Sequence, residues 1–236
     1  MTDWRKIAQR ELLLLVGIIR QPAAAINALR LNNRWLVPLL ILVVVTFVNS
    51  RLTQDIANRE FGDLLQRVMM VTGEEGELAD DLASLESDST APEPITQFLM
   101  LGIIVFLGRG LLALLLRFVG RLFLRRDVPL RQLFTLSVYL GYIHALGILL
   151  RLPLQLMSGS VRTAIGPSLL LRNPSGFMGY FFAQLDAIYL WEMGLAGLGL
   201  GLLLETEDHL RPAVIMIGLY LLWNMLAALS SSAIIG

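Results

Sequence analysis

The sequence predicts an all-α polytopic membrane bundle of five transmembrane helices, with amphipathic helices at its N-terminus that lie in the membrane plane. Three observations carry this. Of the 236 residues, 56% are hydrophobic and 16% charged, whereas soluble domains run to about half and about one quarter. The mean hydropathy is +0.67. The long apolar runs lack the period-two alternation of a barrel strand, and backbone groups in lipid must be satisfied within their own segment, which leaves helices. A formal net charge of 0 argues against a nucleic-acid partner. Cysteine is absent and only His144 and His209 represent histidine, so thiol chemistry, Cys-ligated zinc and a His-rich metal site are excluded.

Residues 1–34 read as cytoplasmic-side interfacial helices. The apolar run Leu12–Ile19 is too short to span, because a crossing helix needs about 20 residues. Glu11 and Arg20 bracket it, and Pro22 stands where a signal peptide would be cleaved. Two helices, 3–20 and 22–34, broken at Gln21-Pro22, are expected. Trp4, Ile7, Leu15 and Ile18 would face lipid while Arg5, Lys6, Arg10 and Arg20 reach headgroups. Packing of both helices against the cytoplasmic end of the bundle is the alternative.

Residues 35–236 hold the spans, at about 35–50, 96–118, 133–150, 177–204 and 212–233. The first is short and borrows flanking residues. Between the first two lies an acidic insertion, 51–95, with eleven acids from Asp55 to Glu93 against Arg51, Arg59 and Arg67. Leu52, Ile56, Leu64 and Val68 repeat at helical spacing, so an amphipathic helix over 52–71 and then a flexible hairpin are expected. These acids match no EF-hand spacing. Arginines cluster before span one and again at Arg117, Arg121, Arg125, Arg126 and Arg131. The positive-inside rule then puts the N-terminus and the 117–131 link in the cytoplasm, and 51–95, 151–176 and the C-terminus outside. Trp4 and Trp35 suit the inner interface; Tyr180, Phe181 and Phe182 suit the outer one.

Four ionisable groups fall inside spans: Arg109, His144, Asp186 and Glu192. Each costs about 2.5–3.5 kcal/mol at mid-membrane if charged and facing lipid, so each should face inward and find a partner. Counting about 1.5 Å per residue puts Arg109 and Glu192 roughly 20 Å from the outer surface, a depth that suits an ion pair. The same count puts His144 about 13 Å down, level with Asp186, as a second pair. Two readings of these groups stand side by side. They form a polar cavity for a proton or small solute, histidine being the side chain that titrates nearest neutrality, or they lock helix positions. No inverted repeat accompanies them.

Gly194, Gly197, Gly199 and Gly201 form a glycine series in span four, and Gly197/Gly201 is a small-xxx-small pair that permits close helix approach. The run follows no strand, so no cofactor is expected. Pro212 suits the first turn of span five. The P-loop, HExxH, GxSxG and CxxC patterns are absent, so no enzyme activity is expected.

Four stretches carry a family resemblance. They are Gln21-Pro22-Ala23 to Trp35-Leu36-Val37-Pro38-Leu39, Ser137-Val138-Tyr139-Leu140-Gly141-Tyr142, Leu185-Asp186-Ala187-Ile188-Tyr189-Leu190-Trp191, and Gly197 to Pro212. In these the chain resembles the Yip domain family, the Ypt/Rab-interacting membrane proteins, outside segment 50–95. It departs from the family in lacking an Asp-Leu-x-Gly-Pro motif and in having Ile143 after Gly141-Tyr142. The resemblance implies five spans with the N-terminus in and the C-terminus out. It also implies a non-enzymatic role, which in eukaryotic members is vesicle traffic through Rab GTPases. With the arginine-heavy, cysteine-free composition, the chain reads as a bacterial inner-membrane member: a scaffold whose partners are the lipid bilayer and a membrane protein or a second copy. The rival is a small-solute or proton-coupled transporter working through the intramembrane charges.

Overall fold

Long helices pair every interior backbone group within one segment, and the described residues of this chain take that solution almost everywhere. The computed structural model describes residues 4–30, 34–72, 93–161, 163, 165–167 and 176–235. Among them, all regular structure is helical: α1 Trp4–Arg20, α2 Pro22–Arg30, α3 Leu36–Thr72, α4 Pro94–Phe123, α5 Leu130–Ser158, α6 Gly176–Gln184, α7 Ala187–Leu203 and α8 Leu210–Ile235. Four of these, α3, α4, α5 and α8, are long and apolar enough to cross a membrane, which makes this an integral membrane protein. The pair α6–α7 passes the same test only when taken together, and it is bent by 64° at its break. The single helix expected over 177–204 is therefore two.

The first span is also not short. α3 runs for 37 residues, about 55 Å at 1.5 Å per residue, and so overruns a core about 30 Å thick. The separate helix expected after Leu52 is its continuation. No glycine or proline interrupts Leu39 to Phe61. The polar residues there turn back into the helix: Thr46 Oγ1 donates to the Leu42 carbonyl at 2.8 Å and Thr53 Oγ1 to the Asn49 carbonyl at 2.9 Å. Gln97 then ties α4 to α3, donating to Ser50 Oγ at 3.1 Å and accepting from Arg51 Nη1 at 3.2 Å. The expected hairpin lies at 73–92, outside the described residues.

α5 is the innermost helix. Every residue from Thr135 to Ile143 is buried, as a helix apolar on all sides requires. α4 lies against it through Leu112, Ala113, Leu116 and Val119, and turns Ile103, Ile104, Leu107, Leu111 and Phe118 outward. That exposed apolar stripe is what lipid solvates, and on a soluble protein it would mark an interface.

α7 and α8 pack backbone to backbone. A Cβ on Gly197 would lie 2.4 Å from the Pro212 carbonyl oxygen and from Ala213 Cα, and one on Gly201 would lie 3.1 Å from His209 Cα. The expected small-residue contact is thus carried by Gly197 and Gly201. Gly194 meets only Ile217 at an ordinary 3.5 Å.

The N-terminal helices dock on the bundle. Ile18, Ala25, Ile26 and Leu29 join one core with Leu116, Leu133, Tyr139 and Leu200. Ile18, expected to face lipid, is 1% exposed, and Leu15 is half-buried against the same core. Leu12, Leu13, Val16 and Ile19 form the exposed apolar face instead. The cause is Glu11, which enters the bundle (below) and carries Ile18, two turns on, inward with it. The side chains of Trp4, Arg5, Lys6 and Ile7 lie outside the described residues.

Gly197→Ala should lower unfolding stability in detergent by about 1–3 kcal/mol through overpacking against α8. Gly194→Ala should stay within about 0.5 kcal/mol of wild type or gain slightly. Thermal unfolding of the two variants side by side reads the difference.

Candidate functional site

The polar residues of the interior fall into register by helical arithmetic. On α5, Ser137, His144 and Arg151 are spaced by seven, two turns apart on one face; on α7, Tyr189 and Glu192 follow Asp186 at intervals of three. α4 supplies Arg109. These stripes converge on two clusters.

The lower cluster centres on Glu192, 2% exposed. Arg109 Nη1 donates to Glu192 Oε1 as a buried ion pair and to the Ser137 carbonyl at 3.3 Å. Ser137 Oγ lies 2.8 Å from the carbonyl oxygens of both Arg109 and Phe134, with one proton to give. Gly141 makes room: a Cβ there would lie 2.7 Å from Leu42 Cδ2 and 3.5 Å from Arg109 Nε. The other carboxylate oxygen, Oε2, faces His144 Nδ1 at 3.7 Å, beyond hydrogen-bond range. Both atoms are buried with no hydrogen-bond partner among the described residues. The imidazole leans on the Tyr189 ring, 5.3 Å between centroids.

The upper cluster forms at the break between α6 and α7. Asp186 is the N-cap of α7: its Oδ1 accepts from Ile188 N at 2.8 Å and Tyr189 N at 3.3 Å, and its Oδ2 from Ile165 N at 3.1 Å. Its own N–H donates to Tyr220 Oη at 3.2 Å. Arg151 Nη2 lies 3.0 Å from Asp186 Oδ2, and its guanidinium sits 5.0 Å over the Tyr189 ring. The connecting segment fills the break: the Ala187 N–H donates to the Ile165 carbonyl at 2.7 Å, and a Cβ on Gly166 would sit 2.2 Å from the Leu185 carbonyl oxygen.

Of the two expected pairs, Arg109–Glu192 is present. His144–Asp186 is not: His144 faces Glu192, and Asp186 faces Arg151. The carboxylate at 186 is committed to backbone N–H groups that the start of α7 leaves without partners. The permanently charged guanidinium of Arg151 is also a stronger partner for it than an imidazole. The apolar run ends at Leu150, which by sequence puts Arg151 in the outer loop, but α5 continues to Ser158 and carries it inside. Its position seven residues after His144 was the signal that it shares the polar face.

A third buried acid escaped the sequence reasoning. Glu11 of α1, 6% exposed, accepts from Tyr142 Oη at 2.7 Å and from Tyr139 Oη at 3.5 Å. Tyr139 Oη also lies 3.1 Å from the Arg34 carbonyl, which ties the N-terminal helices and the link to α3 onto α5. Its signal was an acid beside an apolar run, in a chain whose central span carries two tyrosines, Tyr139 and Tyr142, able to donate to it.

Chemically, the interior holds two arginine–carboxylate pairs, Arg109–Glu192 and Arg151–Asp186, and several buried polar atoms without a hydrogen-bond partner among the described residues, His144 Nδ1, Glu192 Oε2 and Arg151 Nε among them. Among the described residues no group of three or more His, Cys, Asp or Glu is placed to hold a metal. No family model, curated protein or solved structure matches the chain.

Arg109→Ala leaves a buried carboxylate without its cation and should cost about 3–5 kcal/mol. Arg109→Ala/Glu192→Ala should recover a large part of that loss. A loss in the double variant equal to the sum of the Arg109→Ala and Glu192→Ala losses, measured by denaturation in detergent, would show that the two side chains are not coupled.

Proposed function

We propose that this protein is a non-enzymatic, Yip-type scaffold of the bacterial inner membrane, which recruits a membrane partner through its lipid-facing helices. In this reading α6–α7 is the fourth of five spans, the N-terminus is cytoplasmic and the C-terminus extracytoplasmic. The observation that carries it is the state of the interior: Glu192 and Asp186 are 2% and 5% exposed and each is held by an arginine. Charges that are dry and mutually matched serve helix placement; a transport site must be reached by solvent and change partners. The exposed apolar face of α4, with Gly108 and Gly110 among Leu107, Leu111 and Leu114, gives a partner helix a surface it can approach closely.

One observation favours a proton-coupled transporter as the second reading. His144 Nδ1 and Glu192 Oε2 face each other at 3.7 Å without a hydrogen bond, and an imidazole beside a buried carboxylate is the kind of pair that proton relays use.

Two measurements separate these readings. A photocrosslinking residue at Leu111, in native membranes, should capture a discrete protein or a second copy, whereas one at buried Leu116 should not; lipid adducts alone at both positions would contradict the scaffold. Liposomes holding the purified protein should show no proton flux above protein-free liposomes. Flux that disappears in His144→Gln would establish the transporter instead.

A further inference from the structure

At the end of the bundle where α4 turns into α5 and α7 into α8, the links 124–129 and 204–209 enclose a cleft of about 750 Å³. Arg125, Arg126 and Arg211 line it, with Glu207 and Asp208 on one wall and Leu122 at its edge. The backbone around it is tightly held. Arg125 and Glu205 both adopt left-handed conformations, with φ of 53° and 52°, which residues bearing side chains rarely do. Arg126 staples the two links: its N–H donates to the Gly120 carbonyl at 3.1 Å, and its Nη1 to the Leu204 and Glu205 carbonyls at 2.7 and 3.2 Å.

Most nearby acids are already committed. Asp208 Oδ1 caps α8, accepting from Leu210 N at 3.1 Å and Arg211 N at 3.2 Å. Asp127 takes Arg121 at 2.6 Å and Arg117 at 3.1 Å, and those hydrogen bonds, Arg121 first, hold its carboxyl below the usual carboxylate range. Arg125 and Arg211 are exposed in the cleft. Glu207 is the remaining acid of the lining.

The cleft does not stand alone. Leu122 also lines a second groove of about 440 Å³, which runs along α4 past Phe118 and Leu114, with Arg117 and Arg121 on its polar side. Leu114, Phe118 and Leu122 are exposed and belong to the apolar, lipid-solvated face of α4. A basic cleft at the end of a transmembrane helix therefore adjoins, through Leu122, a groove with an apolar side of Leu114, Phe118 and Leu122.

We propose that this cleft is a binding site for an anionic phospholipid. Arg125 and Arg211 hold the phosphate, with the forked guanidinium geometry that suits two phosphate oxygens. The acyl chains lie along Leu114, Phe118 and Leu122. Charge complementarity selects an anionic over a zwitterionic headgroup, and the adjoining groove selects a lipid over a free phosphate.

The test uses the full-length protein in neutral detergent, titrated with phosphatidylglycerol, with phosphatidylcholine of the same chains, and with inorganic phosphate, and read by native mass spectrometry. Phosphatidylglycerol should bind to wild type, and about tenfold more weakly to Arg125→Gln/Arg211→Gln. Arg131→Gln, which removes an exposed charge outside the cleft, should bind as wild type does. Should the double variant fail to fold, Arg211→Gln alone should weaken binding severalfold. Equal binding of the two lipids, equal loss in Arg131→Gln, or undiminished binding to the cleft variant would overturn the site. Displacement of phosphatidylglycerol by inorganic phosphate at equal concentration would overturn the lipid as its ligand.

Discussion

A charge taken into a bilayer must meet its opposite there, and the arrangement of this bundle follows from that constraint. Arg109 and Glu192 stand on helices far apart in sequence, yet neither can be left unpaired in hydrocarbon without a cost of several kcal/mol. Their contact fixes α4 against α7 across α5. The depth, the rotation of both helices, and the glycine at 141 that admits the guanidinium all follow. Ser137 completes the clamp from α5, exchanging hydrogen bonds with the backbone of Arg109 and with its side chain.

The same constraint, applied to backbone rather than side chains, explains the bend between α6 and α7. Where α7 begins, its first peptide N–H groups have no intrahelical acceptors. Asp186 supplies acceptors, and the Arg151 guanidinium lies against it. The segment through Ile165 and Gly166 closes the gap with its own backbone. Non-helical backbone at such a depth is tolerated where protein covers it, and Asp186 at 5% exposed is covered. Glu11 plays the corresponding part at the N-terminal helices. Its two tyrosine partners turn what looked like a surface anchor into a docked element of the bundle.

Much of this was legible in the sequence. Hydrophobic run length located the helices, and rise per residue brought Arg109 and Glu192 to one depth, because both quantities depend only on local geometry. Gly197 and Gly201 were legible as a contact for the same reason. What failed depended on tertiary context. A run's end at Leu150 did not end the helix, since Arg151 found an acid across the interface. Leu52 did not start a new helix, because nothing before it broke the old one. Asp186 resembled a mid-span charge, since no proline or glycine marks the break and a capping aspartate is indistinguishable in sequence from a pairing one. Ile18 was turned away from lipid by Glu11, seven residues earlier, whose partners lie about 130 positions further along the chain.

Arg109 and Glu192 hold each other in the buried interior of the bundle. Solid-state NMR of the protein in lipid bilayers, with the arginine guanidinium nitrogens and glutamate carboxyl carbons labelled, reads this directly. A through-space correlation between Arg109 and Glu192 at hydrogen-bond distance, without exchange to bulk water, is the predicted result. A guanidinium at Arg109 that exchanges freely with water and shows no contact to Glu192 would contradict it.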